Sequence, residues 1–109
     1  ERTFKTPGVL ARAGVKVALC TDHPEVPIQY LSLCAALAVR EGMEEREALK
    51  AITIHGAEIL GIADRVGSLA PGKDADLIVV DGPILEVKSR VTRVFINGRQ
   101  VWRSQEGCP

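Results

Sequence analysis

Residues Val15 to Ile28 read VKVALCTDHPEVPI, and this stretch decides how the rest of the chain is read. Val15, Val17 and Leu19 alternate with Lys16, Ala18 and Cys20, the period of a buried strand over Val15 to Cys20. The run then stops at Thr21-Asp22-His23, with Pro24 and Pro27 behind it. In α/β sheets and barrels, reactive side chains sit at the carboxyl ends of strands. Asp22 stands just past such an end. By spacing alone it is either an acid placed for chemistry or a turn residue that closes the loop or caps the next helix.

Working outward, Thr6 to Ala13 reads as a short helix, with Thr6 as N-cap, Pro7 at the first helical position and Gly14 as the stop. Helix, tight turn and strand make one step of an alternating α/β protein. A second helix is expected from about Ile28 to Arg40, with Ile28, Leu31, Ala35, Ala38 and Val39 on one apolar face and Gly42 as its end. Glu44 and Glu45 open a third, where acids favour the positive end of the helix dipole, and Ala48, Leu49 and Ile52 continue its buried face. Glu47 and Lys50 are one turn apart and can pair, a term of about 0.3 kcal/mol. Gly56 to Leu60 adds a further turn or two, closed by Gly61.

The texture changes near Ala63. Pro71-Gly72 fits the centre of a type II turn. Leu77 to Val80 reads as a buried strand. Val91 to Ile96 and Gln100 to Trp102 flank Asn97-Gly98, a strong hairpin signal. The chain therefore divides into an α/β half, residues 1–62, and a β half, residues 63–109. The tail from Ser104 to Pro109 is expected to fray.

Composition narrows the function classes. Lys+Arg and Asp+Glu balance at 14 each, so nothing in the charge suggests a nucleic-acid or acidic-membrane partner. The apolar runs are too short to span a bilayer, and no signal-peptide pattern is present. Cys20, Cys34 and Cys108 form no CxxC pair and read as free thiols of a reducing cytoplasm. The chain begins at Glu1 and is at once inside patterned sequence, which fits a piece of a longer polypeptide.

Gly67 to Leu77, GSLAPGKDADL, followed by a strand and the Asn97-Gly98 hairpin, resembles the closing segment of the amidohydrolase superfamily. Upstream, a strand ending in Thr21-Asp22, two to three helices, and Ala51-Ile52-Thr53 leading to Gly61 stand in the matching order. Within the superfamily the Asp-His-Pro turn and the Val-Pro-Ile behind it are most similar to the imidazolonepropionase-like group. The resemblance implies a fold of α/β plus β: the last strand and helices of a (β/α)₈ barrel in 1–62, then strands of a small β-sandwich in 63–109, with Val66 to Trp102 as the returning segment. It implies a parent enzyme that hydrolyses a C–N bond of a small-molecule substrate (a cyclic amide, an amide, or an amine on a heterocycle). The cofactor it implies is a divalent metal, with zinc the expected ion. Asp22 matches the aspartate after the eighth strand, which binds metal and shuttles a proton. His23 beside it is a candidate substrate contact.

The superfamily's metal site also draws on a His-x-His and on histidines of middle strands. This chain has two histidines, His23 and His55, and no HxH. By itself it is expected to hold no catalytic zinc and to be inactive. Thr21 is either a neighbour of the metal or an ordinary strand-end residue. His55 is expected to pack or cap, and Asp74 and Asp76 to bond nearby backbone N–H groups. Phe95 and Trp102 are expected in a sandwich core, and Arg90, Arg93, Arg99 and Arg103 on solvated faces. The competing reading is a non-catalytic fragment or subunit that docks onto a larger partner. An isolated piece of barrel leaves strand edges bare, so self-association through them is expected.

Overall fold

The structure, a computed structural model, describes residues 3–105, so Cys108 and most of the expected frayed tail lie outside the described residues. Four helices come first: α1 (Thr6–Arg12), α2 (Leu31–Arg40), α3 (Glu45–Ala51) and α4 (Ile54–Leu60), with a 3-10 turn, Ile28–Tyr30, leading into α2. Three strands follow: β1 (Leu77–Val80), β2 (Val91–Ile96) and β3 (Arg99–Arg103).

The helical half packs through small side chains. Ala35 and Ala38 of α2, Ala48 and Ala51 of α3, Met43 between them and Val17 form one buried cluster. Among the described residues no large side chain is fully buried. Small residues let the helices approach closely, so contact replaces bulk as the source of cohesion. Arg12 of α1 adds a hydrogen bond from Nη1 to the Gly42 carbonyl at 2.8 Å, tying α1 to the turn after α2.

Several expected details change. Thr6 is itself helical and caps nothing; Lys5 is the N-cap, without a side-chain bond. Ile28 is 64% exposed, because the 3-10 turn rotates it off the face that Ala35 and Ala38 bury. On α3 the buried partner of Ala48 is Ala51, one turn on, and not Leu49. The Glu47–Lys50 pair is present at 3.8 Å.

The expected strand Val15 to Cys20 has no ladder. A strand needs a neighbour to pair with, and this segment instead leans on the helices. Leu19 N–H donates to the Ala51 carbonyl at 2.9 Å, and Lys16 Nζ reaches Glu58 Oε1 at 2.9 Å. Val17 is buried in the helical cluster while Val15 is exposed.

The sheet is antiparallel with order β1-β2-β3. Asn97 and Gly98 both take positive φ, 52° and 76°, as the two-residue turn between β2 and β3 requires. Asp76 Oδ1 accepts the Asn97 N–H at 2.8 Å, and Gly98 N–H donates to the Ala75 carbonyl at 2.9 Å. Asp76 thus bonds a backbone N–H of the distant hairpin rather than a local one. Asp74 pairs with Arg65 at 2.8 Å. The sheet is more open than expected: Ile78 of β1 is 48% exposed and Trp102 of β3 is 49% exposed, so neither is core. A single sheet covers only one side of its residues, and the second layer a sandwich needs is not made by the described residues. An apolar groove of about 740 Å³ runs between α4 and the sheet, with Ala57, Leu60, Leu77 and Phe95 among its walls.

Candidate functional site

The site is the loop that follows the extended segment. Thr21 is buried, and Asp22 and His23 come out into solvent. Asp22 has φ 56°, a left-handed conformation that Asp adopts more readily than most residues. That twist turns the chain back on itself after Thr21. Two of the next residues, Pro24 and Pro27, carry no N–H. The three N–H groups left between Pro24 and Ile28 are all spent inside the loop. Glu25 N–H donates to the Asp22 carbonyl at 2.9 Å, Val26 N–H to the Thr21 carbonyl at 3.3 Å, and Ile28 N–H to His23 Nδ1 at 3.0 Å.

This arrangement uses the backbone of Asp22 and leaves its carboxylate free. Among the described residues no side chain or backbone group pairs with it. An exposed, unpaired carboxylate at the end of a segment anchored on the helices is chemically suited to be an oxygen ligand of a divalent cation. One ligand is not a site, since a catalytic metal takes three or so from the protein. Among the described residues no group of three or more His, Cys, Asp or Glu is placed to hold a metal ion.

The other residues singled out by sequence are placed elsewhere. His55 lies behind the loop on α4, and its Nδ1 is 2.9 Å from the Val17 carbonyl. A carbonyl only accepts, so Nδ1 carries the proton, and the ring supports the segment rather than the loop. Asp74 and Asp76 belong to the sheet half and do not reach Asp22's loop through any bond. The participant that sequence reasoning misses is the Ile28 N–H. The signal that could have found it is the pair of prolines, which leaves so few donors in the loop.

A helical half whose extended segment ends in an unpaired acid is followed by a three-stranded antiparallel sheet. The chain belongs to the amidohydrolase family, which residues 2–101 match. It is 47% identical over 77 residues to an imidazolonepropionase from Geobacillus kaustophilus, covering 68% of this chain and 18% of that protein. It is 38% identical over 77 residues to an adenine deaminase from Methanosphaera stadtmanae, covering 71% of this chain and 13% of that protein. The crystal structure of an amidohydrolase from Thermotoga maritima MSB8 superposes with a TM-score of 0.91 at 45% identity, over 94% of this chain and 27% of that one. The chain thus spans less than a fifth of these two curated relatives and about a quarter of the solved amidohydrolase.

Proposed function

We propose that this chain supplies the proton-handling acid of a metal-dependent hydrolase that cleaves C–N bonds in a small-molecule substrate. The observation that carries it is the free Asp22 carboxylate, held at the end of an anchored segment by a loop whose Glu25, Val26 and Ile28 N–H groups are all bonded back to residues 21–23. In this reading residues 1–62 are the last part of a (β/α)₈ barrel, and residues 63–109 contribute strands to a β-sandwich. The open sheet supports the second half of that reading, since its half-exposed Ile78 and Trp102 suit a second layer.

Asp22 would be one ligand of a divalent metal, zinc being the first candidate, with the remaining ligands on other parts of the protein. A metal held there would supply Lewis acidity. Asp22 would hold a proton taken from the attacking water and pass it to the leaving nitrogen, as general base and then general acid. His23 flanks the same space. The names of the relatives point to a cyclic amide, as in imidazolonepropionate, or an exocyclic amine, as in adenine.

The test is Asp22→Asn in the full-length, metal-loaded protein, assayed on imidazolonepropionate and on adenine. Loss of general acid–base function costs roughly 10²–10⁴-fold, so turnover should fall by at least about a hundredfold; retained turnover would remove the role. The non-catalytic docking reading draws on the same open sheet. It would be favoured by a full-length protein that holds no divalent metal after purification in its presence.

A further inference from the structure

The Ile28 N–H donates to His23 Nδ1 at 3.0 Å, across five residues that contain two prolines. A nitrogen that accepts a backbone N–H carries no proton of its own. The neutral ring must then hold its hydrogen on Nε2. From this we infer that His23 is a positioning residue: its Nδ1 clasps the Ile28 N–H, closes the loop, and so fixes where Asp22 presents its carboxylate. The inference rests on Asp22 being the ligand and proton carrier proposed above.

The loop has no other means of doing this. Pro24 and Pro27 contribute no donor, and the Glu25 and Val26 N–H groups are bonded to the carbonyls of Asp22 and Thr21. Those two bonds close only the first turn. Without the clasp, no hydrogen bond among the described residues ties that turn to the 3-10 turn Ile28–Tyr30 that enters α2. Ile28 N–H also belongs to the first residue of that turn, where backbone donors have no partner within the helix. The imidazole therefore joins two things, the loop carrying Asp22 and the end of a helix whose Ala35 and Ala38 are fixed in the core. Asp22 keeps a left-handed φ of 56°, which is uncommon outside glycine and persists only when the surroundings hold it.

The clasp also limits what His23 itself can do. Its Nδ1 is engaged, so while the loop is closed it is neither a metal ligand nor a base through that atom. Through Nε2 it offers an N–H donor and no lone pair.

The two nitrogens can be separated by substitution, since Asn places an acceptor near Nδ1 whereas Gln reaches toward Nε2. In the full-length protein, hydrogen exchange of the peptide spanning Pro24 to Tyr30 reads the clasp, and titration with Co²⁺ alone reads the Asp22 position. His23→Ala and His23→Gln should both speed exchange and weaken Co²⁺ binding by about tenfold or more, the usual size of such supporting contacts. His23→Asn should hold both within about threefold of wild type. Unchanged exchange in His23→Ala would overturn the clasp. Faster exchange with unchanged Co²⁺ affinity would overturn the positioning role. Binding rescued by Gln and not by Asn would overturn it in favour of direct contact through Nε2. A parallel Asp22→Asn that leaves Co²⁺ affinity intact would instead remove Asp22 as a ligand, and the exchange arm would still judge the clasp on its own.

Discussion

His55 Nδ1 donates to the Val17 carbonyl at 2.9 Å across 38 residues of chain, so an imidazole on α4 holds the segment that delivers Asp22. Val17 is buried in the helical cluster. With no strand beside it, this carbonyl relies on His55. His55→Ala leaves the acceptor without its partner, at about 1–3 kcal/mol. Urea unfolding should place the variant in that range, with His55→Gln, which keeps a donor, closer to wild type. Equal midpoints for all three proteins would mean the contact contributes nothing.

Gly67 and Gly72 give a matched pair. Both have positive φ, 101° and 90°, so a side chain at either strains the backbone by about 1–2 kcal/mol. Only Gly67 also lacks room. A Cβ there would lie 2.8 Å from the Ala57 Cβ and 3.1 Å from the Ile54 Cα, both on α4. Overpacking of this kind adds about 1–3 kcal/mol. At Gly72 a Cβ meets nothing within 4 Å. Gly67→Ala should therefore destabilise clearly more than Gly72→Ala in equilibrium unfolding. If the two cost the same, α4 does not pack against the turn at Gly67.

Asp76 decides the position of the hairpin turn rather than its type. Its Oδ1 takes the Asn97 N–H at 2.8 Å, from the start of β1 to the far end of β2. Asp76→Ala should cost about 1 kcal/mol and release the Asn97 amide to exchange. Asp76→Asn keeps an oxygen acceptor and should retain most of the protection. An Asn97 amide that exchanges alike in all three would show that Asn97-Gly98 holds the turn unaided.

The hairpin and the glycine-closed helix C-termini were legible because turn chemistry is local, whereas the helix starts at Thr6 and Ile28 were not. Asn97-Gly98, Pro71-Gly72 and Gly61 each dictate their own φ, whatever lies around them. Burial was less legible. Leu49 and Ala51 both suit a helix interior, and only the approach of α2 selects Ala51. The alternation from Val15 to Cys20 has the period of a strand, yet the segment forms no ladder, because pairing needs a neighbouring strand and none lies beside it among the described residues. Asp22 stands out in the sequence at the end of that segment, and as the proposed acid it has a carboxylate left unpaired among the described residues. For the His23–Ile28 bond the two prolines narrow the donors to a few, but the acceptor is brought to Ile28 by a left-handed Asp22 that no residue pattern specifies.

The Lys16–Glu58 pair gives a pH dependence of known sign. The hydrogen bond from Lys16 holds the Glu58 carboxyl below the ordinary glutamate value; desolvation opposes it, and the charges of Lys16, His55 and Lys50 lower it further. A carboxyl with a lowered folded-state value binds fewer protons folded than unfolded. Its stabilisation is therefore present above the unfolded value and fades as pH falls through the folded one. The pair is solvent-exposed, so the effect is small and weakened by salt. Carboxyl-resonance NMR of Lys16→Met should return the Glu58 midpoint to the ordinary range. A midpoint that does not move would mean the Lys16 contact is not held in solution.

Ile78, Val94 and Trp102 stand opposite one another across β1, β2 and β3, forming a row on one face of the sheet. Cross-strand rows of large apolar residues are the usual cohesive unit of a sheet, and here the two ends of the row are half-exposed. Val101 and Ile96 of the sheet and Leu60 of α4 add further exposed apolar surface. Large apolar residues left open together in this way are normally covered in a soluble protein. Strands β1 and β3 are also the open edges of the sheet, where another chain can pair. The 109-residue chain by itself should therefore associate with its own copies at micromolar concentration. Light scattering coupled to gel filtration should give a mass above one chain. The double substitution Ile78→Lys and Trp102→Glu, which charges both ends of the row, should bring the mass down toward a monomer. A monomeric wild-type chain would show that the open sheet is not sticky enough to matter. An oligomer unchanged by the double substitution would move the contact to the strand edges or the helical half.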